Sequence, residues 1–118
     1  MQINTTISEH LGRYMDLAVD EAKLTASNMA NVDTPGYRTK GFDFETEMRK
    51  VLKGARGGAE TPPDVEEVNG LVSRPDGNNV SIDREGLKLA DAQLRFRTGV
   101  ALWRLEHQRI MDAIHADK

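Results

Sequence analysis

The chain has 118 residues, room for one domain and little more. Apolar residues make up 38% of it and aromatics only 5%, too few for a large self-contained core, while 30% of the side chains are charged. With 16 basic against 19 acidic groups the net charge is −3, and both signs are mixed along the chain, which excludes a nucleic-acid-binding stripe and a polybasic membrane anchor.

From Thr5 to about Asn31 the residues Ile7, Leu11, Tyr14, Ala18, Ala22, Thr25 and Met29 recur at steps of three and four, one stripe on an α-helix roughly 40 Å long. The repeat Ile7, Ala18, Met29 is nearer eleven residues than seven, so a straight or slightly right-handed course is expected. The helix runs into Asn31-Val32-Asp33-Thr34-Pro35-Gly36-Tyr37, a sharply specified stop. Pro35 drives Thr34 out of the α region, and Pro35-Gly36 suits the two central positions of a type II turn, the second of which needs positive φ. Asn31 and Asp33 carry short polar side chains able to satisfy loose backbone groups at the helix end, and Tyr37 offers an amphipathic ring for a contact.

Residues 32–80 hold all four prolines and seven of the ten glycines and read as an irregular arm. A short helix is expected from Phe44 to Leu52, broken at Gly54 and then Gly57-Gly58. Val65 to Val68 and Leu71 to Ser73 flank Asn69-Gly70, the signal of a small β-hairpin, although both runs are short and the first is acidic. Arg74-Pro75-Asp76-Gly77-Asn78-Asn79 is a dense turn signal that returns the chain to a second long helix.

That helix is expected from Ser81 to Ala116, with Ser81 as N-cap and Asp83 and Glu85 in the first turn, where exposed amides favour negative charge. Ile82, Gly86, Leu89, Gln93, Phe96, Val100, Trp103, His107, Ile110 and Ile114 keep strict four-three spacing, a heptad seam. A second row through Leu87, Ala90, Leu94, Ala101 and Leu105 makes the apolar surface wider than one partner helix needs. Gly86 and Gly99 either permit close helix approach or are tolerated in a marginal helix, and Gln93 and His107 either fix register in the seam or face water at its edge. The fold class is therefore mainly α: an N-terminal helix over 1–31, a turn and irregular arm over 32–80, and a C-terminal helix over 81–118, the two long helices paired as a coiled coil.

No catalytic pattern stands out: there is no phosphate-binding glycine loop, no serine elbow, and Glu66 and Glu67 sit in a polar arm without an apolar pocket to raise a pKa. Cysteine is absent, which removes disulfides, thiolate nucleophiles and cysteine-based zinc sites. His10, His107 and His115 lack the i, i+4 spacing that would grip one metal from one helical face, so neither a metal nor another cofactor is expected. Glu9, Arg13, Asp16 and Asp20 interrupt the N-terminal region, so no cleavable signal peptide is expected, and no segment approaches membrane-spanning length.

Ser27-Asn28-Met29-Ala30-Asn31-Val32-Asp33-Thr34-Pro35-Gly36-Tyr37 resembles the signature of bacterial flagellar rod and hook proteins, in which asparagine, isoleucine, alanine and asparagine lead into a Thr-Pro-Gly-Tyr type turn. Phe42-Asp43-Phe44 after the turn is most similar to members that build the proximal rod. Asp76-Gly77-Asn78-Asn79-Val80-Ser81-Ile82-Asp83-Arg84-Glu85 resembles the segment leading that family into its C-terminal helix. Met29 in place of isoleucine, Phe96-Arg97 where Tyr-Gln is common, and Ser81 at a common aspartate position are the departures, and the resemblance is weakest from Gly54 to Arg74.

The resemblance implies a structural, non-enzymatic subunit that polymerises into the hollow rod of the flagellar basal body, transmits torque from the rotor ring towards the hook and lets export substrates pass. Ile7, Leu11, Tyr14, Ala18, Phe96, Val100, Trp103 and Ile110 would then join the helices within a subunit, and the row through Leu94, Ala101 and Leu105 would meet neighbours. Asn28, Ala30, Asn31, Asp33, Thr34, Pro35, Gly36 and Tyr37 would contribute family-motif and subunit contacts. Implied partners are further copies of the chain, the rod proteins FlgC, FlgF and FlgG, FliE and the MS ring, and the flagellar type III export apparatus, with the subunit exported without a cleaved signal and assembled in the periplasm. No nucleic acid and no direct membrane insertion are implied. The sibling rod protein FlgC and a non-flagellar helical adaptor are the alternatives.

Overall fold

The computed structural model describes residues 5–54 and 61–116. Helix α1 spans Thr6–Ala30, and its first turn is closed by the Thr5 hydroxyl, which accepts from the Ser8 amide at 3.0 Å. At the other end Asn31 donates to the Ser27 carbonyl from its side chain at 2.8 Å and from its backbone amide at 3.2 Å. Strand β1 is the pair Lys40–Gly41. Helix α2, Phe44–Leu52, is capped by the Asp43 carboxylate, which accepts from the amides of Glu45 and Thr46 and from the Thr46 hydroxyl at 2.9 Å. The Thr46 hydroxyl first, then these amides, hold the Asp43 carboxyl below the ordinary aspartate value. Strand β2 is Glu66–Glu67, and helix α3, Ile82–His115, begins where the Ser81 hydroxyl accepts from the Arg84 amide at 3.3 Å. The extents of 69 × 26 × 21 Å are those of a rod whose long axis is set by α3, about 51 Å at the α-helical rise.

The two long helices pack on each other, and α2 closes over α1. Leu17, Ala18 and Phe44 form the buried centre, with Tyr14, Phe42 and Met48 packed against it. Tyr14 meets Phe44 edge-on at 5.3 Å between centroids, and the Arg95 guanidinium lies 4.1 Å over the same ring. Phe44 thereby ties the arm to both helices.

On α3 the buried row is Glu85, Ala92, Gly99 and Glu106, at seven-residue spacing and beside the apolar seam expected from sequence. Within that seam Val100 and Ile110 are half-buried, but Phe96 and Trp103 are 41% and 40% exposed. Close approach explains the offset. A Cβ on Gly99 would lie 2.6 Å from Met15 Cγ and 3.2 Å from Tyr14 Cδ1, so the side chains of α1 occupy the space that Gly99 leaves open on α3. Gly86 has open space around it and plays no such part. On α1 the buried set is Arg13, Leu17, Ala18, Glu21, Thr25 and Asn28. Of the expected stripe, Ala18 and Thr25 fall in that set, Leu11 and Tyr14 are half-buried, and Ile7 is exposed.

The small sheet forms differently from the expected hairpin. β1 pairs antiparallel with β2, Lys40 opposite Glu67 and Gly41 opposite Glu66, and the Val68 amide extends the ladder to the Thr39 carbonyl at 2.9 Å. Gly70 does turn the chain at φ +83°, but the residues after it leave the sheet and Val72 stands in solvent. Two strands of this length need a covering element, and α1, packed against β1, supplies it.

Candidate functional site

The family-like turn after α1 and the turn before α3 fold into one knot, and Asn28 is its centre. Its side chain is fully engaged: Oδ1 accepts from the Lys40 amide at 3.1 Å and from the Tyr37 hydroxyl at 3.0 Å, while Nδ2 donates to the Lys40 carbonyl at 2.8 Å and to Glu85 Oε1 at 3.3 Å. The amide thus stands in for a neighbouring strand along β1 and joins α1, the turn and α3 at one buried point. Glu85, also buried, takes its countercharge from Arg84 at 2.9 Å.

The turn itself is held by the second segment. Gly36 has φ +75°, and the Tyr37 amide closes onto the Thr34 carbonyl at 3.2 Å, the type II geometry that Pro35-Gly36 encodes. The Gly36 amide donates to the Asp76 carbonyl at 2.9 Å. Buried Asn78 donates to the carbonyls of Asn31 and Thr34, both at 2.9 Å, and Arg74 donates to the Val32 carbonyl. Asn79 Oδ1 accepts from the Thr39 backbone amide at 2.6 Å, and the Asn79 backbone amide donates to the Tyr37 carbonyl at 3.3 Å. Thr34 accepts from Asn78 through its carbonyl and donates from its hydroxyl to Asn31 Oδ1 at 3.0 Å. Ala30, Asp33, Thr34 and Pro35 face solvent around this knot. The roles of Asn78 and Asn79 escape a reading by periodicity, although their place in a dense turn signal marks them.

A cleft of about 440 Å³ opens between α1, α2, the sheet and α3, with Lys40, Glu47, Lys50, Glu67, Arg84 and Lys88 on its walls. Its buried carboxylates are occupied. Glu47 Oε1 accepts from Lys50 at 3.2 Å and from the Asp64 amide at 3.1 Å, and Glu21 binds Arg95 through both oxygens, at 2.9 and 3.2 Å. Burial pushes the Glu21 carboxyl above the ordinary glutamate value, with Arg95 pulling the other way. Among the described residues no group of three metal-binding side chains comes together, and no helix is long and apolar enough to cross a membrane.

Further along the coil the polar contacts thin out. Glu106 accepts from Arg109 at 3.0 and 3.1 Å and from the Thr5 hydroxyl at 3.4 Å, and the Arg109 hydrogen bonds hold its carboxyl below the ordinary value. Large apolar side chains point outward along the whole of α3: Leu87, Leu94 and Leu105 are 71%, 65% and 67% exposed, with Leu102 and Ile114 also uncovered. Gln93 and His107 are exposed, His107 stacking on Trp103 at 5.4 Å.

No protein-family model matches the chain. It is 30% identical over 106 residues to the flagellar basal body rod protein FlgB of Escherichia coli K12, covering 74% of this chain and 77% of that protein. The FlgB of Salmonella typhimurium LT2 is 31% identical over 107 residues, covering 75% and 78%, and that of Borrelia hermsii 28% over 102 residues, covering 70% and 76%. With its long paired helices, its Asn28-centred turn and this degree of identity over three quarters of its length, the chain belongs to the FlgB family of flagellar basal body rod proteins.

Proposed function

We propose that the chain polymerises helically as a subunit of the proximal rod, with its exposed α3 rows covered by neighbouring copies, and that the polymer transmits torque from the rotor ring towards the hook while export substrates pass through its channel. The observation that carries this reading is two sets of uncovered apolar side chains, Leu87, Leu94 and Leu105 on one face and Phe96 and Trp103 on another, along a helix about 51 Å long. Burying such a row stabilises an interface by about 25 cal/mol per Å² of apolar area, and repetition along a polymer multiplies it. The protein acts mechanically and not as an enzyme in this reading. The knot around Asn28 and the arm are rigid fixtures that set the orientation of the coil against its neighbours. Its partners are other copies, FlgC, FlgF and FlgG, FliE and the MS ring, reached through the flagellar type III export apparatus, and its place is the periplasmic part of the basal body.

The test is swimming motility, with electron microscopy of basal bodies, in a strain lacking this gene and complemented with the wild type or with Trp103→Asp. The wild type is expected to restore rods. Trp103→Asp is expected to accumulate normally and leave rods absent, because a charge buried in an apolar interface costs several kcal/mol. Normal swimming with the variant would overturn the reading.

A further inference from the structure

We propose that Asn69 is a site of spontaneous deamidation, its side-chain amide attacked by the backbone nitrogen of Gly70. Both residues are exposed, just beyond the last ladder bond of the sheet, and neither makes a hydrogen bond among the described residues. Gly70 carries no Cβ to shield its nitrogen and has open space around its Cα. Exposed loop positions of this kind reach strained geometries at low cost.

The step balances without an oxidant or reductant. The Gly70 N–H gives its proton to solvent hydroxide, the nitrogen bonds to Asn69 Cγ, and the bond from Cγ to the amide nitrogen breaks, that nitrogen leaving as ammonia after taking a proton from water. One water molecule then opens the cyclic imide at either carbonyl, giving aspartate or isoaspartate. Each event adds a negative charge two residues after Glu67 to a chain whose net charge is already −3. The isoaspartate product also inserts a methylene into the backbone beside the β1–β2 pair.

The rest of the chain supplies internal controls. Asp76-Gly77 has the same following glycine, but the Gly77 amide is engaged by the Arg74 carbonyl at 2.8 Å and Asp76 Oδ1 by the Asn78 amide at 3.0 Å. Asn28, Asn78 and Asn79 are buried, and each is followed by a residue with a side chain. Asn31 is held on both side-chain atoms, by Ser27 and Thr34.

The experiment incubates the folded full chain at mildly alkaline pH and follows deamidation and isoaspartate by peptide mass mapping, for the wild type and for Asn69→Gln, with a parallel incubation in concentrated urea. Conversion at Asn69 is expected to run at least tenfold faster than at Asn78 or Asn79, and Asn69→Gln to remove most of the whole-chain mass gain. In urea the Asn69 rate should change little while isoaspartate appears at Asp76. Conversion of Asn78 or Asn79 as fast as Asn69 in the folded chain, or an unaltered mass gain in Asn69→Gln, would overturn the proposal.

Discussion

The end of the molecule around Asn28 and the end around Trp103 are built from the same two helices, and they are finished in opposite ways. Around Asn28, Thr25, Thr39, Asn78, Asn79 and Glu85 all sit inside, and side-chain bonds from Asn28, Asn78, Asn79 and Glu85 run across α1, the two turns and α3, while Thr39 Oγ1 and Asn79 Nδ2 have no partner among the described residues. Around Trp103 the only buried residue of α3 beyond Gly99 is Glu106, and the large apolar side chains are left to solvent. A hydrogen-bond network fixes geometry within one chain because every donor needs its acceptor at one distance and angle. Uncovered apolar surface fixes nothing until another surface meets it. The first end closes largely on itself within one chain, and the second leaves its apolar side chains exposed.

The sharpest way to break this contrast is Asn28→Ala. It strips partners from the Lys40 amide and carbonyl and the Tyr37 hydroxyl, all partly buried, and from buried Glu85, and leaving a buried group unpaired costs about 1–3 kcal/mol, partly buried ones less and not additively. A loss of about 3 kcal/mol or more in urea unfolding is expected, and a loss under about 1 kcal/mol would show that the knot is not a unit. Next comes Gly99→Val, which drives a branched side chain into Met15 and Tyr14 at the closest approach of the helices. It should destabilise by about 1–3 kcal/mol, while the same change at Gly86, in open space, should not.

Glu21 sharpens the comparison through pH. Its folded-state pKa is raised by burial, against the opposing pull of Arg95, so the folded chain binds a proton more readily than the unfolded one. That contribution to stability is fully present below the unfolded pKa and is lost as pH rises through the folded pKa. Glu21→Gln should therefore flatten the dependence of the melting temperature on pH just above the ordinary glutamate pKa, and an unchanged profile would remove Glu21 from the account. The smallest effect belongs to Trp103→Asp. As a monomer it should unfold within about 0.5 kcal/mol of the wild type, since the ring is already half in solvent, even as rod assembly is lost.

Features decided by neighbours in the chain were legible in the sequence. The bounds of α1, α2 and α3, the Ser81 cap and the positive φ of Gly36 follow from capping chemistry, a proline that bars helix and a glycine that admits the turn. The motif around Asn28 was equally visible, and so was the family. Which face of α3 meets α1 was not. Apolar spacing points to the row through Phe96 and Trp103, whereas the helices close on Ala92 and Gly99, because the approach distance is set by the smallest side chains and the buried ends, Glu85 and Glu106, find partners that spacing cannot reveal. The pairing of β1 with β2 likewise depends on Asn28 holding β1 in place, a long-range contact invisible to the local hairpin signal at Asn69-Gly70. Local hydrogen bonds and dihedral limits belong to the sequence by itself; the choice of face and of strand partner belongs to the tertiary structure, where distance and the supply of partners decide.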